Sequence, residues 1–391
     1  MRMRIILIIV ATAFIVSLGL TATVLALSMR TINVYTFRSS MTLVNRGSQP
    51  FPLDKVAFDR LAIFCNTSWQ TVKVEWVKLN GSLVRFWIER DADGNPVIVY
   101  ELNEKDLAPG ARVMVEYQVS IEEVYPKPYP VELIHRSGEI NEVPPHLHNY
   151  TKGGGLWQVH DRNLRRLAEE LKEDRSRVID IVMSFVTWID ANIRYGTHIP
   201  PYYPSEVLKH REGDCDEQAM LLITLCRIVG IPAYLELGAV MLLGKVMVTK
   251  VPPRNPCIII RDHNLGWHAW ALVYVPEVGW VPVDMTFYRP FVPGSVYHIT
   301  GAAIVSKGTL LLGKVSETDY IAECKEFIDV LREHNATLYE ENWLDFEGSH
   351  RTVRVTSSLI LGLVVTASLG VMLSLVILLG RRESSVSRPH T

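Results

Sequence analysis

The sequence has no marked excess of charge of either sign. Its 391 residues include 40 Lys and Arg against 42 Asp and Glu, which gives a formal net charge of −2 at pH 7. Proteins that bind nucleic acid usually carry a basic surface for the phosphates. The balanced charge gives no indication of such a surface, and we predict no nucleic-acid partner.

Cysteine is scarce, and its five residues are widely spaced: Cys65, Cys215, Cys226, Cys257 and Cys324. The spacing contains no C-x-x-C pair and no disulfide framework, and an odd number outside the cell leaves at least one free thiol. The spacing does not decide whether a Cys65–Cys257 or a Cys257–Cys324 disulfide forms. A zinc site built from Cys257, His263 and His268 lacks the short paired spacing of structural sites, so we predict neither a metal nor a cofactor.

Long uncharged runs lie at the two ends of the chain, which has a mean hydropathy of +0.13. As a helix at about 1.5 Å per residue, the run from Ile5 to Ser28 spans roughly 36 Å, more than the ~30 Å hydrocarbon core of a bilayer. We predict transmembrane helices over residues 5–28 and 357–380. A signal peptide cut after Ala26 is the alternative for the first run, and a buried soluble helix is the alternative for the second.

Arginine placement predicts the orientation of these two helices. Arg2 and Arg4 precede the first run, and Arg381 and Arg382 follow the second. By the positive-inside rule, both termini are cytoplasmic and the chain between the runs is extracellular, which predicts a two-pass protein of the plasma membrane and a lipid bilayer as a partner. Four N-x-[ST] sequons agree with an extracellular location: Asn66, Asn80, Asn149 and Asn335.

Residues 31–124 have a pattern typical of β-strands. Short runs rich in Val, Ile, Tyr and Phe, such as TVKVEWV (residues 71–77), alternate with turn formers such as Asn80-Gly81. Six or seven such strands over about a hundred residues predict a β-sandwich without a cluster of catalytic side chains. Residues 125–145 are rich in proline and predict a linker.

Beyond the linker the pattern becomes helical. Asn163–Lys172 and Ser176–Ile193 have helical periodicity, and we interpret the apolar stripe of the second segment as a core face. Glu317–Glu333 predicts a further amphipathic helix before the second uncharged run.

The stretch EGDCDEQAM, residues 212–220, places Cys215 between two aspartates. Gly230 and Pro232 are typical of a helix end, and acidic residues suit a helix start. A helix N-terminus and a neighbouring imidazolium lower a cysteine pKa by more than nearby carboxylates raise it, so we expect a reactive thiol if a histidine is in reach. Steps of four and three residues predict one apolar helix face that begins at the cysteine: Cys215, Ala219, Leu222, Cys226 and Val229.

One histidine stands at the start of a predicted hairpin. WHAWALVYV (residues 267–275) and WVPVD (residues 280–284) are two strands joined by PEVG. His268 opens this hairpin and Asp284 closes it, so both lie at the same end. Both numbers are even, so the side chains share a face only if the loop has an odd residue count or a bulge intervenes, and Gly279 is placed to supply that bulge.

GDCDEQAMLLITLCRIVGIPA and WHAWALVYVPEVGWVPVD together resemble the transglutaminase-like superfamily, over about Leu164 to Tyr288. The resemblance implies a papain-like α+β catalytic domain within residues 146–347, with the cysteine helix packed against an antiparallel sheet. It also implies Cys215 as the nucleophile, His268 as the general base and acid, and Asp284 as the group that orients the imidazole.

The implied reaction is attack of the Cys215 thiolate on an amide carbonyl of a protein or peptide, which gives a thioester. Resolution by water makes a hydrolase and resolution by an amine makes a transglutaminase, and a triad serves both. The backbone N–H of Cys215 is a candidate oxyanion donor, with Tyr202, Tyr203 or Trp267 as a second. Many relatives have Arg after G-I-P-A, where this chain has Tyr234. A non-catalytic binding protein that kept the fold is the alternative function.

Overall fold

The chain is mixed α+β, and the computed structural model describes residues 2–287, 294–306, 308–353 and 357–386. It divides into two compact units. One comprises Met1–Asn33, Val124–Pro126 and Ser349–Thr391, and the other comprises Val34–Glu123 and Lys127–Gly348. Tyr288, which ends the region of resemblance, and Arg354, which ends the stretch from Thr31 predicted to be extracellular, lie outside the described residues.

The helices of the described chain have these bounds, in chain order: α1 Arg2–Ser28, α2 Arg162–Lys172, α3 Val178–Asn192, α4 Pro204–His210, α5 Cys215–Ile228, α6 Tyr297–Thr300, α7 Ala303–Ser306, α8 Tyr320–Glu333 and α9 Ser357–Val386. The strands have these bounds: β1 Met29–Asn45, β2 Phe51–Pro52, β3 Arg60–Ala62, β4 Gln70–Leu79, β5 Ser82–Leu83, β6 Phe86–Arg90, β7 Pro96–Tyr100, β8 Asp106–Leu107, β9 Arg112–Tyr125, β10 Ala233–Val251, β11 Ile258–Val275, β12 Gly279–Val283, β13 Thr309–Val315 and β14 Ala336–Val353.

The first unit contains two candidate membrane-spanning helices, α1 and α9. Their apolar windows, Ile8–Leu25 and Ser357–Ile377, have mean hydropathies of 2.4 and 2.5. The two helices pack against each other. The hydroxyl of Thr366 lies 2.7 Å from that of Ser17 and 2.8 Å from that of Thr21. Hydroxyl pairs of this kind join helices in an apolar surrounding, so α1 and α9 have the composition of a two-helix membrane bundle.

A nine-stranded sheet dominates the second unit. Its strand order is β13-β10-β11-β14-β1-β9-β4-β5, and β12 pairs with β11 outside this path. β10 and β11 form a long antiparallel pair in which Gly238 lies opposite His268. β14 runs parallel to β11, with Ile258 opposite Leu338.

The N-terminal strands differ from the expected separate β-sandwich. β1, β9, β4 and β5 continue the same sheet as β10 and β11, whereas β3, β7 and β6 form a small second sheet. One apolar core joins Phe64 and Val115 from the N-terminal segment to Leu265 of β11 and Leu344 of β14. Period-two alternation predicts which side chains face a core, but it carries no signal for which distant strand becomes the neighbour.

Most of the proline-rich stretch is packed within the second unit and is not a free linker. It contains single 3₁₀ turns at Val131–Arg136 and Ile140–Glu142, and Val131 belongs to the core around α5. The domain boundaries placed at 31–124 and 146–347 therefore stay predictions, and residues 34–123 and 146–347 lie in one compact unit.

The helix that carries Cys215 lies at the centre of the second core. Every residue from Glu217 to Arg227 on α5 is buried. α5 packs on β10 and β11, with α2, α3 and α4 around it. Gly230 has φ of 86°, a left-handed conformation that favours glycine, so the chain turns there into β10.

Candidate active site

Cys215 is the first residue of α5, as the sequence predicts, and Asp214 is its N-cap. The side chain of Glu217, which is fully buried, fixes the segments that meet at this helix start. One of its oxygens accepts the backbone N–H of Asp214 at 2.7 Å, and the other accepts the N–H of Tyr202 at 2.6 Å. His198 Nδ1 lies 3.1 Å from both oxygens. The acidic run around Cys215 therefore has a structural function at the helix N-terminus.

The predicted hairpin forms and meets its parity condition. Val275 lies opposite Gly279, so the loop has three residues, and Glu277 and Gly279 take positive φ of 64° and 108°. Because this loop has an odd number of residues, the side chains of His268 and Asp284 lie on the same face of the hairpin. The Nε2 atom of His268 lies 2.8 Å from Oδ2 of Asp284. Since the carboxylate accepts, Nε2 carries the proton, and Nδ1 is the ring nitrogen left for another partner.

Asp284 is held by several donors besides His268. Its Oδ1 accepts backbone N–H groups of Thr286 at 3.2 Å and Phe287 at 3.1 Å, and its Oδ2 accepts that of Ala303 at 3.0 Å. Burial raises the pKa of this carboxyl, but the charge and hydrogen bond of His268 and the backbone N–H groups lower it more, so the pKa lies below its ordinary value. Asp284 is therefore an anion with a fixed orientation.

Behind Asp284, His298 and Asp190 form a second buried pair. Neither residue is among the site residues predicted from the sequence. His298 Nδ1 lies 2.7 Å from the backbone oxygen of Asp284, and Nε2 lies 2.7 Å from Oδ2 of Asp190. The N–H of Asp284 donates to the backbone oxygen of His298 at 2.8 Å. Both partners of the imidazole are acceptors, so both ring nitrogens donate and the ring is a cation. Burial lowers the pKa of His298, but these two partners raise it above its ordinary value overall.

One signal in the sequence pointed to this pair. Asp190 lies on α3 beside Ile189, which belongs to the buried stripe, and a buried acidic residue requires a partner. The sequence offered no means of identifying His298 as that partner, because it follows Asp284 in a segment without helical or strand periodicity.

A cavity of about 390 Å³ contains the predicted nucleophile and base together. Cys215, His268 and Trp267 line it, as do Asp214 and Asp216. The backbone N–H of Ala269, the neighbour of His268, acts on the Cys215 sulfur and lowers its pKa. The helix start and the hairpin are thus adjacent. Further residues complete the wall: Thr197, His198, Ile199, Pro201, Leu237, Gly238, Ala269, Leu312, Tyr320 and Cys324.

The pKa of the Cys215 thiol is raised well above its ordinary value. Burial is the largest cause, and the charges of Asp216 and Asp214 add to it. The expected gain from the helix N-terminus does not outweigh these effects in the resting geometry. The thiol is therefore protonated at neutral pH in this conformation.

Asp214 and Asp216 lie next to each other beside the thiol. Burial, the hydrogen bond to Asp216 and its negative charge raise the pKa of Asp214 well above its ordinary value. The oxygens of these two carboxyls and the Cys215 sulfur lie within 4.8 Å of one another, the one group of this kind among the described residues with a geometry that suits a metal ion.

The other cysteine and histidine candidates take separate partners. Cys257 Sγ contacts the backbone oxygen of Val251 at 3.5 Å, and His263 Nε2 lies 2.7 Å from Oε1 of Glu341. These two residues and His268 do not form a ligand group within the described ranges. All five cysteines are described and are free thiols, so neither candidate disulfide forms.

The candidate oxyanion donors differ in position. The Tyr203 hydroxyl donates to Asp319 at 3.2 Å, and Tyr202 stacks on His198. Neither tyrosine lines the cavity of Cys215. Trp267 lines it, but its Nε1 donates to Oδ1 of Asp262 at 3.2 Å. The Cys215 N–H at the first helical position is the remaining candidate of this set.

Tyr234, which replaces the arginine of many relatives, belongs to an aromatic cluster. Its ring centroid lies 4.8 Å from that of Trp280 and 5.4 Å from that of Tyr150. It does not line the cavity of Cys215. The substitution therefore alters packing behind β10 and leaves the candidate site unchanged.

Comparison with known proteins identifies the family of this region. Two solved structures are similar to the chain. A "Putative Cysteine Protease from Cytophaga hutchinsonii" is 14% identical with a TM-score of 0.47, covering 84% of this chain and 92% of that one. A "putative protease from Parabacteroides distasonis" is 12% identical with a TM-score of 0.23, covering 67% of this chain and 69% of that one. None of the curated proteins matches the chain. Residues 165–285 match the family model of the transglutaminase-like superfamily, and the chain therefore carries a transglutaminase-like domain over this range.

Proposed function

We propose that this chain is a membrane-anchored cysteine enzyme that acts on amide bonds of proteins or peptides. Cys215 is the nucleophile, His268 is the general base and acid, and Asp284 orients the imidazole. The observation that carries the proposal is the 2.8 Å bond between His268 and Asp284, in a hairpin whose histidine lines the same cavity as Cys215.

The tautomer of His268 fits the first chemical step. Nε2 donates to Asp284, so the lone pair of Nδ1 accepts the proton of the Cys215 thiol as the sulfur attacks the amide carbon. The carbon–nitrogen bond then breaks, and Nδ1–H of the imidazolium protonates the leaving amine. The anionic Asp284 stabilises the imidazolium between these transfers.

The second step decides between two reactions. If water attacks the thioester, Nδ1 takes its proton, the thiol is regenerated and the product is a carboxylic acid. If a primary amine attacks, the product is a new amide. The helix N–H at Cys215 is suited to stabilise the oxyanion that forms in both steps.

The raised pKa of Cys215 determines how the thiol is activated. The thiol is protonated in the resting state, so a preformed thiolate is not the starting point of the reaction. Proton transfer to His268 then accompanies attack, as it does for a serine nucleophile. We propose this general-base route for Cys215.

The triad is tested with three variants of the full chain in detergent. Cys215→Ala and His268→Ala are expected to lose hydrolysis of an unfolded protein substrate and incorporation of a fluorescent primary amine. Asp284→Asn keeps an acceptor for two of the backbone donors and is expected to retain partial activity, because the nucleophile and the base both remain. Fragments without amine incorporation indicate a hydrolase, and incorporation indicates a transglutaminase. Equal behaviour of wild type and a folded Cys215→Ala variant in both assays would exclude the proposal.

A non-catalytic binding protein is the second candidate function. The burial and negative surroundings of Cys215 favour it, because they disfavour the reactive thiolate. An intact mass measurement distinguishes the two: a trapped acyl adduct on Cys215 that is absent from Cys215→Ala supports the enzyme.

The membrane topology is part of the proposal. We infer that α1 and α9 span a plasma membrane with both termini in the cytoplasm, and that residues 31–354 face outside. The four sequon asparagines are exposed, which is compatible with glycosylation. Epitope tags at both ends should survive protease added to intact cells and be digested only after permeabilisation. Digestion of either tag in intact cells contradicts the orientation.

A further inference from the structure

A second cavity adjoins the cavity of Cys215. It has a volume of about 320 Å³ and shares two wall residues, Trp267 and Leu312, with the first. Trp267 belongs to the walls of both cavities and precedes His268 in the chain, so the second cavity begins next to the candidate base. A substrate bound at Cys215 and extending past Trp267 would enter the second cavity.

The wall of the second cavity is partly apolar. Phe37, Met41, Leu61 and Tyr117 supply carbon surface, and Phe37 and Tyr117 are buried. Such a wall suits the hydrocarbon stem of a side chain. The charge at the end of that side chain is determined by the polar residues of the cavity.

The polar end of the cavity is acidic. Glu340 and Asn342, on one face of β14, line it. Asn342 Nδ2 donates to Oε1 of Glu340 at 2.8 Å and to Oδ1 of Asp262 at 2.9 Å. One amide thus joins two carboxyls, and its own Oδ1 is fully buried without a hydrogen-bond partner among the described residues.

This acidic network lacks a counter-charge. Neither Glu340 nor Asp262 forms an ion pair within the described part of the chain. Burial raises the pKa of both carboxyls, with the charge of Asp262 adding to the shift of Glu340. Arg60 also lines the cavity, but its guanidinium is paired with Glu89 at 2.8 Å. An acidic group that lines a cavity without an ion-pair partner is stabilised by a cation with hydrogen-bond donors.

We propose that the cavity beyond Trp267 is a specificity pocket that binds a positively charged side chain of the substrate, a lysine or an arginine, with its stem on Phe37 and Met41 and its charge at Glu340. This inference rests on the proposed function for its catalytic consequence, and it names the substrate class of the same site. The substrate is accordingly a basic peptide or protein segment.

The kinetic test uses peptidyl fluoromethyl ketones that differ only in a lysine or its uncharged isostere norleucine. The purified full chain in detergent is labelled with both, and the rate of modification at Cys215 is measured by mass spectrometry. At one position of the peptide the lysine probe should react about tenfold faster, and added salt should reduce the difference. Equal rates at every position overturn the proposal.

Two glutamine variants give the matched comparison. Glu340→Gln keeps the acceptor for Asn342 and removes the charge, and it should reduce the lysine preference to within about twofold. Glu341→Gln changes the next residue of β14, which pairs with His263 and does not line the cavity, and it should keep the full preference. A preference that survives in Glu340→Gln contradicts the assignment of the pocket.

An equilibrium measurement separates this inference from the catalytic proposal. Binding of N-acetyl-lysine methylamide and N-acetyl-norleucine methylamide is measured on Cys215→Ala, with and without Glu340→Gln. Tighter binding of the lysine amide that depends on Glu340 supports the pocket even if no probe modifies Cys215. Equal binding of the two amides rejects the pocket, whatever the activity of Cys215.

Discussion

At the scale of single residues, the negative charge of Asp216 adds to burial in raising the pKa of the Cys215 thiol. Asp216→Asn removes a charge that raises the Cys215 pKa, while the amide oxygen can still accept the Tyr320 hydroxyl that donates to Asp216 at 2.7 Å. We expect the pH midpoint for alkylation of Cys215 by iodoacetamide to fall by about half a unit to one unit. Site-resolved mass spectrometry follows the modification.

Asp180→Asn is the control for this change, because Asp180 is exposed on α3 and pairs with Arg177. It should leave the midpoint unchanged. An unchanged midpoint in Asp216→Asn would mean that burial alone determines the Cys215 pKa.

A second prediction for single residues concerns the pH dependence of stability at His298. Its raised pKa means that the folded state binds a proton more tightly than the unfolded chain does. The resulting stability is fully present below the unfolded pKa of about 6.5 and is lost as the pH rises through the folded pKa. His298→Asn removes the charge, so wild type should exceed the variant in melting temperature most at pH 5.5, with the difference shrinking toward pH 8.5.

The same variant should affect catalysis through Asp284. We expect kcat to fall by about 10- to 100-fold with KM nearly unchanged, because a small displacement of Asp284 misorients His268 without altering substrate contacts. A variant with lower stability but an unchanged kcat would show that His298 is a core residue only.

The three candidate triad residues could be predicted from sequence because each lies in a stretch with its own local pattern. Cys215 starts an apolar helix face, and His268 and Asp284 bound one hairpin with an odd loop. His298 lies where no periodicity exists. The raised Cys215 pKa was also unpredictable, because it depends on burial that only the packed structure provides.

At the scale of elements, one glycine determines how closely β10 approaches β13. A Cβ at Gly238 would lie 2.4 Å from the backbone oxygen of Leu310 and 2.8 Å from the ring of the fully buried Trp270. In Gly238→Ala, the added methyl group therefore has to displace either strand β13 or the buried indole of Trp270. We expect a loss of about 1–3 kcal/mol in the free energy of unfolding, with a lower melting temperature.

Gly266→Ala is the matched change on the adjacent strand. A Cβ there would lie 2.8 Å from the end of the Leu242 side chain, which can rotate away. It should cost clearly less than Gly238→Ala. Equal costs would indicate that β13 moves freely against β10.

Individual strands were predictable, whereas their neighbours were not. The alternating segments of residues 31–124 become β1, β4, β7 and β9, close to the positions where the sequence indicates strands. β1, β4 and β9 join the sheet of β11 and β14 through the β1–β14 pair. The residues of that pair lie more than a hundred positions apart, and no local pattern encodes such a partner.

At the scale of the whole molecule, the shared sheet affects which fragments fold. Residues 34–348 without the terminal helices keep the compact unit complete, and we expect a soluble fragment with a cooperative thermal transition. Residues 146–347 alone lose the strands beside β14 and expose Trp267, which stacks on Phe64 at 6.4 Å. That shorter fragment should aggregate or melt without a cooperative transition.

Circular dichroism melts of the two fragments check this expectation. Cooperative melting of residues 146–347 would support the domain boundary predicted from the sequence and show that the shared strands are dispensable. Failure of residues 34–348 to fold would show that the terminal helices are needed for folding.

The neighbouring positions of β1 and β14 have a consequence for release from a membrane. These strands are the first and the last of the sheet in chain order, and they lie side by side. With α1 and α9 in a bilayer, a proteolytic cut near one helix leaves the body attached through the other. After a cut within either strand, the hydrogen bonds of the sheet still hold the two pieces of the chain together. If both helices span a bilayer, release of the sheet-containing unit therefore requires two separate cuts, and a singly nicked molecule stays attached.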